Sequence, residues 1–257
     1  MESSTEAAIL VTEPKRGVAL VTLNRPHSLN ALSSDLLNQL KTALEALDAS
    51  SSISVIILVG SHKAFAAGLD ISEMMSLIES KEKAPSLGGF VNDIKTPLIA
   101  AVSGYAIGGG LELAMMCDIL YCTDTAKLGL PEITLSSTPG GGGSQRLSRA
   151  IGKSRTMELM LTGKTFSGKE AFAWGLAART FPDYESLMNE ALKTAETIGT
   201  YHKESIYAMK DLVNKSQEVG LSEGISYEQS LFQKLLGNEE QKKRIRDFLA
   251  RPKNNRQ

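Results

Sequence analysis

Two glutamates could carry acid–base chemistry because each follows a turn-forming stretch. Glu112 follows the glycines at 108–110, and Glu132 follows Pro131 after a further helix-like and strand-like stretch. Two carboxylates that face one pocket can move protons in opposite directions around one substrate. Taken singly, each has a simpler interpretation: Glu112 as an acid that stabilises a helix N-terminus, and Glu132 as a solvated loop residue. The presence of both glutamates indicates a site for proton transfer at one end of a sheet.

Two glycine-containing turns could offer backbone N–H groups to an anion. Residues 108–110 follow a predicted strand and open a helix, and residues 65–70 do the same after another buried strand. One N–H from each turn could stabilise negative charge on a carbonyl oxygen. Both turns could instead be only tight connections. A nucleotide site is less well supported, because the first turn lacks the Lys-Ser/Thr of a P-loop and the spacing of a dinucleotide fingerprint.

The elements that must position these residues alternate between strand and helix. Residues 18–23 form a β-branched apolar run typical of a strand. Ser33 or Ser34 then caps a helix with leucines at three- and four-residue spacing, and residues 54–59 are a second buried strand. The same order returns with a strand at 98–102, a turn at 104–110, a helix at 111–116 and a strand at 119–122. This order predicts right-handed β-α-β units in an α/β fold.

The chain becomes mainly helical after about residue 144. Predicted helices cover 144–150, 154–161, 168–174, 184–198, 203–215, 223–236 and 239–249. The last three have apolar faces but little core of their own. We therefore expect them to pack on another subunit or on the α/β body.

Charge and cysteine content narrow the possible function classes. The 257 residues carry a formal net charge of −1, which gives no electrostatic basis for binding nucleic acid or an anionic membrane. No apolar run approaches the roughly 20 residues needed to span a bilayer. Residues 1–8 lack the features of a signal or transit peptide, and the chain does not end in Ser-Lys-Leu. We therefore expect a soluble intracellular protein, cytoplasmic by default, with the mitochondrial matrix and peroxisome left open.

The two cysteines, Cys117 and Cys122, lie in an apolar stretch of the sequence. We therefore expect them to be buried, reduced thiols.

Several stretches resemble the crotonase superfamily and, within it, the enoyl-CoA hydratases. They are Leu-Asn-Arg-Pro at 23–26, Leu-Asn-Ala-Leu at 29–32, Ala-Phe-Ala-Ala-Gly-Leu-Asp at 64–70, Pro-Leu-Ile-Ala-Ala-Val at 97–102, Gly-Tyr-Ala-Ile-Gly-Gly-Gly-Leu-Glu-Leu-Ala at 104–114, Cys-Asp at 117–118, Pro-Glu at 131–132 and Pro-Gly-Gly-Gly-Gly-Ser-Gln-Arg-Leu at 139–147. The resemblance covers essentially the whole chain in order. It implies an α/β crotonase-like spiral of β-β-α units over residues 1–199 and a C-terminal helical trimerisation region over residues 200–257. Such chains often assemble as a dimer of trimers, so a homotrimer or homohexamer is expected.

The resemblance also implies a set of catalytic groups. The N–H groups of Leu69 and Gly109 would hold the thioester oxygen of an acyl-CoA, Glu112 would activate water, and Glu132 would protonate C2. The backbone of Gly140 would help to hold the water. Because both glutamates are present, the resemblance favours hydration of a 2-enoyl-CoA over double-bond isomerisation, in which similar enzymes usually keep only the second acid. No metal or cofactor is implied, since coenzyme A is part of the substrate.

The expected contacts with the acyl-CoA include positions at which this sequence departs from many hydratases. The resemblance implies substrate or CoA contacts at His27, Ala66, Ala67, Asp70, Phe248 and Arg251. His27 and Ser72 stand where many hydratases have lysine, and Leu130 stands where many have glutamine, which implies a more apolar acyl pocket. Besides the isomerase, an RNA-binding relative is an alternative, but the first predicted helix carries only Lys41 among its acids and leucines.

Overall fold

A computed structural model describes residues 7–81, 87 and 89–250 of the chain. These residues form two compact units, divided between Gly199 and Thr200. No helix of the described residues is long and apolar enough to cross a membrane.

The strands of the first unit form two sheets among the described residues. Their bounds are β1 Ile9–Lys15, β2 Val18–Leu23, β3 Val55–Val59, β4 Ala64–Ala66, β5 Leu98–Val102, β6 Tyr105–Ile107, β7 Ile119–Thr123, β8 Lys127–Gly129, β9 Phe166–Ser167 and β10 Arg179–Phe181. The larger sheet has the order β1-β2-β3-β5-β7-β10, and the smaller has the order β4-β6-β8-β9. All pairings are parallel except β1 with β2 and β8 with β9.

The first unit contains eight described α-helices, which alternate with the strands in its first half. Their bounds are α1 Ser34–Ala49, α2 Ile71–Ser80, α3 Gly89–Asn92, α4 Gly109–Met116, α5 Gly143–Ile151, α6 Lys153–Thr162, α7 Gly168–Ala173 and α8 Tyr184–Gly199. Short 3-10 helices cover Pro26–Ser28 and Glu132–Leu135. The middle of the unit repeats one order: a strand in the larger sheet, a strand in the smaller sheet, then a helix. The repeats β3-β4-α2 and β5-β6-α4 place the turns at 67–70 and 108 at matching positions.

Local sequence explains the larger sheet well. The central strand β3 reads Val-Ile-Ile-Leu-Val and is buried on both faces, as expected for a strand of a covered parallel sheet. Alternate residues face different clusters: Val55 and Ile57 pack with Leu187 and Ala191 of α8, whereas Ile56 and Leu58 belong to the main core. The Ser33 side chain accepts a hydrogen bond from the backbone of Leu36 and so caps α1, as predicted.

One prediction about the turns needs correction. The stretch 104–110 is not a single turn, because Tyr105–Ile107 forms β6 and pairs with β4 and β8. The helix after it begins at Gly109 rather than at residue 111. A strand of three residues has little local signal, and pairing with its neighbours stabilises it. Close packing also requires Gly110, since a Cβ there would lie 2.0 Å from the Ala66 carbonyl oxygen of β4.

Both cysteines are free and buried, which confirms the predicted burial of the two thiols. Burial raises the pKa of Cys122 to about 12, with the charge of Asp124 acting in the same direction against a hydrogen bond with Thr180. The thiol of Cys122 is therefore protonated at neutral pH.

The second unit consists of three described helices: α9 Lys203–Lys215, α10 Leu221–Leu235 and α11 Glu239–Ala250. Their apolar side chains stay largely exposed within the chain. The exposed apolar residues are Met209, Val213, Leu221, Ile225, Phe232, Leu236, Ile245, Phe248 and Leu249. An apolar surface of this extent is typical of a region that packs on another molecule.

Candidate active site

Glu112 is a buried carboxylate held by backbone donors. It lies in the first turn of α4 and is only 3% exposed. Its Oε1 atom accepts hydrogen bonds from the N–H groups of Gly141 (2.8 Å) and Gly143 (2.7 Å). Such bonds to a charged group compensate much of the cost of burying it. No other described residue donates a hydrogen bond to this carboxylate, so Oε2 has no donor there.

Glu132 has a different environment. It is the first residue of the second 3-10 helix, directly after Pro131. Its Oε2 atom is buried and has no hydrogen-bond partner among the described residues. Burial raises the pKa of Glu132, and the negative charge of Glu112 raises it further, against a hydrogen bond from its own backbone. The protonated form of Glu132 is thus favoured relative to an exposed glutamate.

The fold brings the two carboxylates to one place. Gly108 immediately precedes the helix that carries Glu112, and a Cβ on Gly108 would lie 3.3 Å from Oε1 of Glu132. The first carboxylate follows β6 and the second follows β8, which are neighbouring parallel strands. Because the carboxyl ends of parallel strands meet at one sheet edge, both acids lie there.

The two backbone turns also meet at this edge. A Cβ built on Gly68 would lie 3.9 Å from the nitrogen of Gly109. Within the described part of the chain, no acceptor takes the N–H of Leu69 or the N–H of Gly109. Gly109 is the first residue of α4, where the helix dipole adds positive potential. Two N–H groups without acceptors are therefore available beside the carboxylates.

An ion pair fixes the turn that carries Leu69. Both terminal nitrogens of Arg25 donate to Oδ2 of Asp70 at 3.0 Å, and Nη1 also donates to the carbonyl of Ala31. The other carboxylate oxygen of Asp70 caps α2 by accepting from the backbone of Ser72. Burial opposes ionisation of Asp70, but Arg25 and the backbone N–H groups of Glu73 and Ser72 together outweigh it and lower the pKa of Asp70.

Apolar side chains surround the acids. Leu87 Cδ atoms come within 3.3 Å of a Cβ position on Gly109 and within 2.9 Å of one on Gly141. Leu130 Cδ1 and Glu112 Oε1 both lie 2.9 Å from a Cβ position on Gly143, which puts this leucine beside the carboxylate. Low polarity here excludes competing water and strengthens electrostatic interactions inside the site.

The remaining predicted residues are spread more widely. Gly140 is exposed, and no described residue accepts its N–H. Ala66 is buried in β4, and the N–H of Ala67 donates to the carbonyl of Leu29. His27 is exposed in the first 3-10 helix.

Two predicted contacts belong to the C-terminal part of the sequence. Phe248 is 45% exposed on α11 of the second unit. Arg251 lies outside the described residues. Their contacts with an acyl-CoA remain predictions.

Sequence reasoning missed the groups that hold Glu112. Gly141 and Gly143 donate to it, and the side chain of Arg146 contacts the same turn. The only available signal was the glycine run after Pro139, where glycine permits backbone N–H groups to approach a ligand or side chain. No group of three or more His, Cys, Asp or Glu that could hold a metal occurs within 7–81, 87 and 89–250.

Comparison with known proteins gives consistent results. The Enoyl-CoA hydratase/isomerase family matches residues 13–256. A probable enoyl-CoA hydratase of Rhizobium meliloti is 47% identical over 248 residues, covering 95% of this chain and 96% of that protein. A mitochondrial enoyl-CoA hydratase of Pongo abelii is 41% identical, covering 94% and 85% of the two chains. The solved structure of an enoyl-CoA hydratase from Bacillus anthracis has a TM-score of 0.85 at 31% identity, covering 94% and 95% of the two chains. These similarities confirm the crotonase-like fold that the motifs imply.

Proposed function

Because the chain belongs to the enoyl-CoA hydratase/isomerase family, we propose that Glu112 and Glu132 together add water to the 2,3 double bond of a 2-enoyl-CoA thioester. The activity is that of an enoyl-CoA hydratase, a hydro-lyase that yields a 3-hydroxyacyl-CoA. One observation supports these roles most directly. At one sheet edge, a carboxylate held by two N–H groups lies near a second carboxyl, whose Oε2 is buried and has no partner within the described part of the chain.

The N–H groups of Leu69 and Gly109 activate the substrate. The thioester carbonyl oxygen accepts both, so that electron density flows from the double bond to that oxygen when water attacks C3. Negative charge on the oxygen is then greater in the transition state than in the substrate, and the fixed donors stabilise the transition state selectively. Removal of one such donor in other enzymes costs about 3 kcal/mol of transition-state stabilisation.

The two carboxyl groups move the protons. Glu112 takes a proton from water through Oε2 while the water oxygen bonds to C3, and the pair of π electrons moves into an enolate. Protonated Glu132 then donates its proton to C2, and the carbonyl re-forms. Both acids lie at one edge of the sheet, which supports syn addition. Both groups return to their starting protonation states by proton exchange with solvent.

The N–H of Gly140 supports the position of the water. It belongs to the turn whose next residues hold Glu112, and no described residue accepts it. We expect it to donate to the water oxygen before attack.

Isomerisation is a less favoured alternative. Moving a double bond from C3 to C2 needs only one acid–base group, whereas the structure keeps Glu112 buried and specifically hydrogen bonded. Function as an RNA-binding protein has little support, since the chain has a net charge of −1.

The acyl-CoA contacts at His27, Ala66, Ala67, Asp70, Phe248 and Arg251 are part of the proposal. Asp70 would contribute through its backbone, because its carboxylate is engaged by Arg25 and α2. No metal or redox cofactor enters the scheme. Its steps are proton transfers and a stabilised oxyanion, and the groups named above carry out both.

We infer that the second unit mediates assembly into a homotrimer or homohexamer. The exposed apolar residues of α9, α10 and α11 support this, because three helices without a covered apolar face gain stability by packing on a further copy. An intracellular location is proposed as well, since the similar proteins include bacterial and mitochondrial enzymes. Sedimentation of the purified protein tests the assembly.

The activity is tested with 2-enoyl-CoA and 3-enoyl-CoA thioesters of increasing chain length. We expect loss of the conjugated 2-enoyl absorbance and formation of 3-hydroxyacyl-CoA, with one solvent deuteron at C2 when the reaction runs in D₂O. Conversion of 3-enoyl to 2-enoyl thioesters without hydration would favour the isomerase. No turnover of any 2-enoyl-CoA would contradict the proposal.

A further inference from the structure

Arg146 contacts the turn that holds Glu112. It lies in the first half of α5, and its side chain folds back so that Nη1 donates to the carbonyl of Gly141 at 2.9 Å. Nη2 donates to Oδ1 of Asn92 at 3.0 Å. The guanidinium therefore links the turn to α3, a separate element of the same unit.

The turn is shaped to admit this side chain. Gly142 has φ +93°, a left-handed conformation that residues other than glycine rarely adopt. A Cβ at this position would lie 2.2 Å from Nη1 of Arg146. The backbone N–H of Arg146 also donates to the Gly142 carbonyl at 2.9 Å. The peptide groups between Gly141 and Gly143 are thus fixed from two sides.

These peptide groups are the ones that bind Glu112. The same Gly141 residue offers its carbonyl to Arg146 and its N–H to Oε1 of Glu112. A rotation of the turn would withdraw both N–H donors from the carboxylate. Burial lowers the pKa of Arg146, yet the charge of Glu112 acts in the opposite direction, so the two side chains also attract one another without direct contact.

We propose that Arg146 is a positioning residue for hydration: by bridging Gly141 and Asn92, it holds the Gly141–Gly143 turn so that Glu112 keeps the orientation from which it activates water. This inference rests on the proposed role of Glu112. Misplacement of a catalytic group by about 1 Å can lower a rate about 100-fold. Loss of the bridge should therefore reduce kcat while leaving substrate binding largely intact.

The test is a double-mutant cycle on kcat and KM with a 2-enoyl-CoA substrate. We expect Arg146→Met to lower kcat about 10- to 100-fold with KM changed less than about 2-fold. In a Glu112→Gln background, the same change should lower kcat by less than about 2-fold, because the positioned base is already absent. Arg149→Met is the matched control, since this exposed arginine of α5 donates to Gln145 and, among the described residues, to no part of the Gly141–Gly143 turn.

Two outcomes overturn the inference. One is a kcat for Arg146→Met equal to that of Arg149→Met while Glu112→Gln is inactive. The other is an equal loss in both backgrounds, as a merely structural role would give. Retained activity in Glu112→Gln would instead contradict the role of Glu112, and the inference with it.

Arg146→Lys covers the case in which Arg146→Met does not fold. One ammonium group can reach either Gly141 or Asn92 but lacks the planar fork that bridges them. We expect a folded variant with reduced kcat and unchanged KM. A wild-type kcat for Arg146→Lys would overturn the bridge.

Discussion

Glu112 and Glu132 lie at the same sheet edge in opposite kinds of environment. The carboxylate of Glu112 accepts two backbone N–H groups, whereas Oε2 of Glu132 is buried without a partner. Hydrogen bonds stabilise the ionised form of a carboxyl, and burial without them disfavours it. The backbone thus gives the same residue type two different environments, as the proposed roles of base and acid require.

The largest expected effect comes from removing the acid side of this pair. Glu132→Gln keeps the size of the side chain but takes away the transferable proton, and we expect kcat to fall by about 10²- to 10⁴-fold. Steady-state kinetics with a 2-enoyl-CoA measure the change. Glu45→Gln, at an exposed site on α1 where Glu45 pairs with Lys41, should retain wild-type kcat. Activity within a factor of about two of wild type in Glu132→Gln would remove the acid role.

The second effect is a difference in stability between the two carboxyl groups. Glu112→Gln weakens two charge-assisted hydrogen bonds, and we expect the free energy of unfolding to fall by about 1–2 kcal/mol. Glu132→Gln weakens no such bond, because Oε2 of Glu132 accepts none among the described residues, so we expect no loss of stability. Urea unfolding of both variants measures the difference. Equal destabilisation would mean that the two environments are equivalent.

A third prediction concerns a substitution that changes only the turn around Glu112. Gly142→Ala forces a side chain into a left-handed backbone conformation and against Arg146, and we expect the free energy of unfolding to fall by about 1–3 kcal/mol. Gly140→Ala is the matched control for stability, because its Cβ would meet nothing within 4 Å. Thermal unfolding of both variants gives the comparison. Similar Tm values for the two would show that the turn tolerates the strain.

The smallest effect concerns pH. Glu132 must be protonated to act as an acid, so kcat/KM should fall as pH rises through its pKa, which burial and then the charge of Glu112 raise. Glu112→Gln removes that charge. We therefore expect the pKa of Glu132 to decrease, seen by NMR titration of the labelled carboxyl. An unchanged or higher pKa would show that the two groups are not coupled.

The sequence predicts the buried strands and the chemical groups better than their surroundings. Residues 18–23 and 98–102 are strands with the predicted bounds, because continuous β-branched and apolar runs identify buried parallel strands. Strand β6 was missed, since three residues between glycines are stabilised only by their neighbours in the sheet.

The same division applies to the site. Residue type and spacing make Glu112 and Glu132 candidates, the family resemblance suggests their roles, and those roles stay predictions. The donors of Gly141 and Gly143 were not identifiable from the sequence, because the direction of a backbone N–H depends on the tertiary path of a turn. Arg146 escaped for a related reason: nothing in its local sequence indicates that its side chain folds back onto Gly141.

The buried thiols have a practical consequence. Alkylating reagents react with thiolates, and Cys122 is both enclosed and protonated in the folded chain. Its modification therefore requires the protein to open. The rate of labelling in dilute denaturant reports how often each variant unfolds, independently of catalysis and of the single tryptophan. Because the buried native thiols do not react in the folded protein, a cysteine introduced on the exposed face of a helix can carry a spectroscopic label at a single known position.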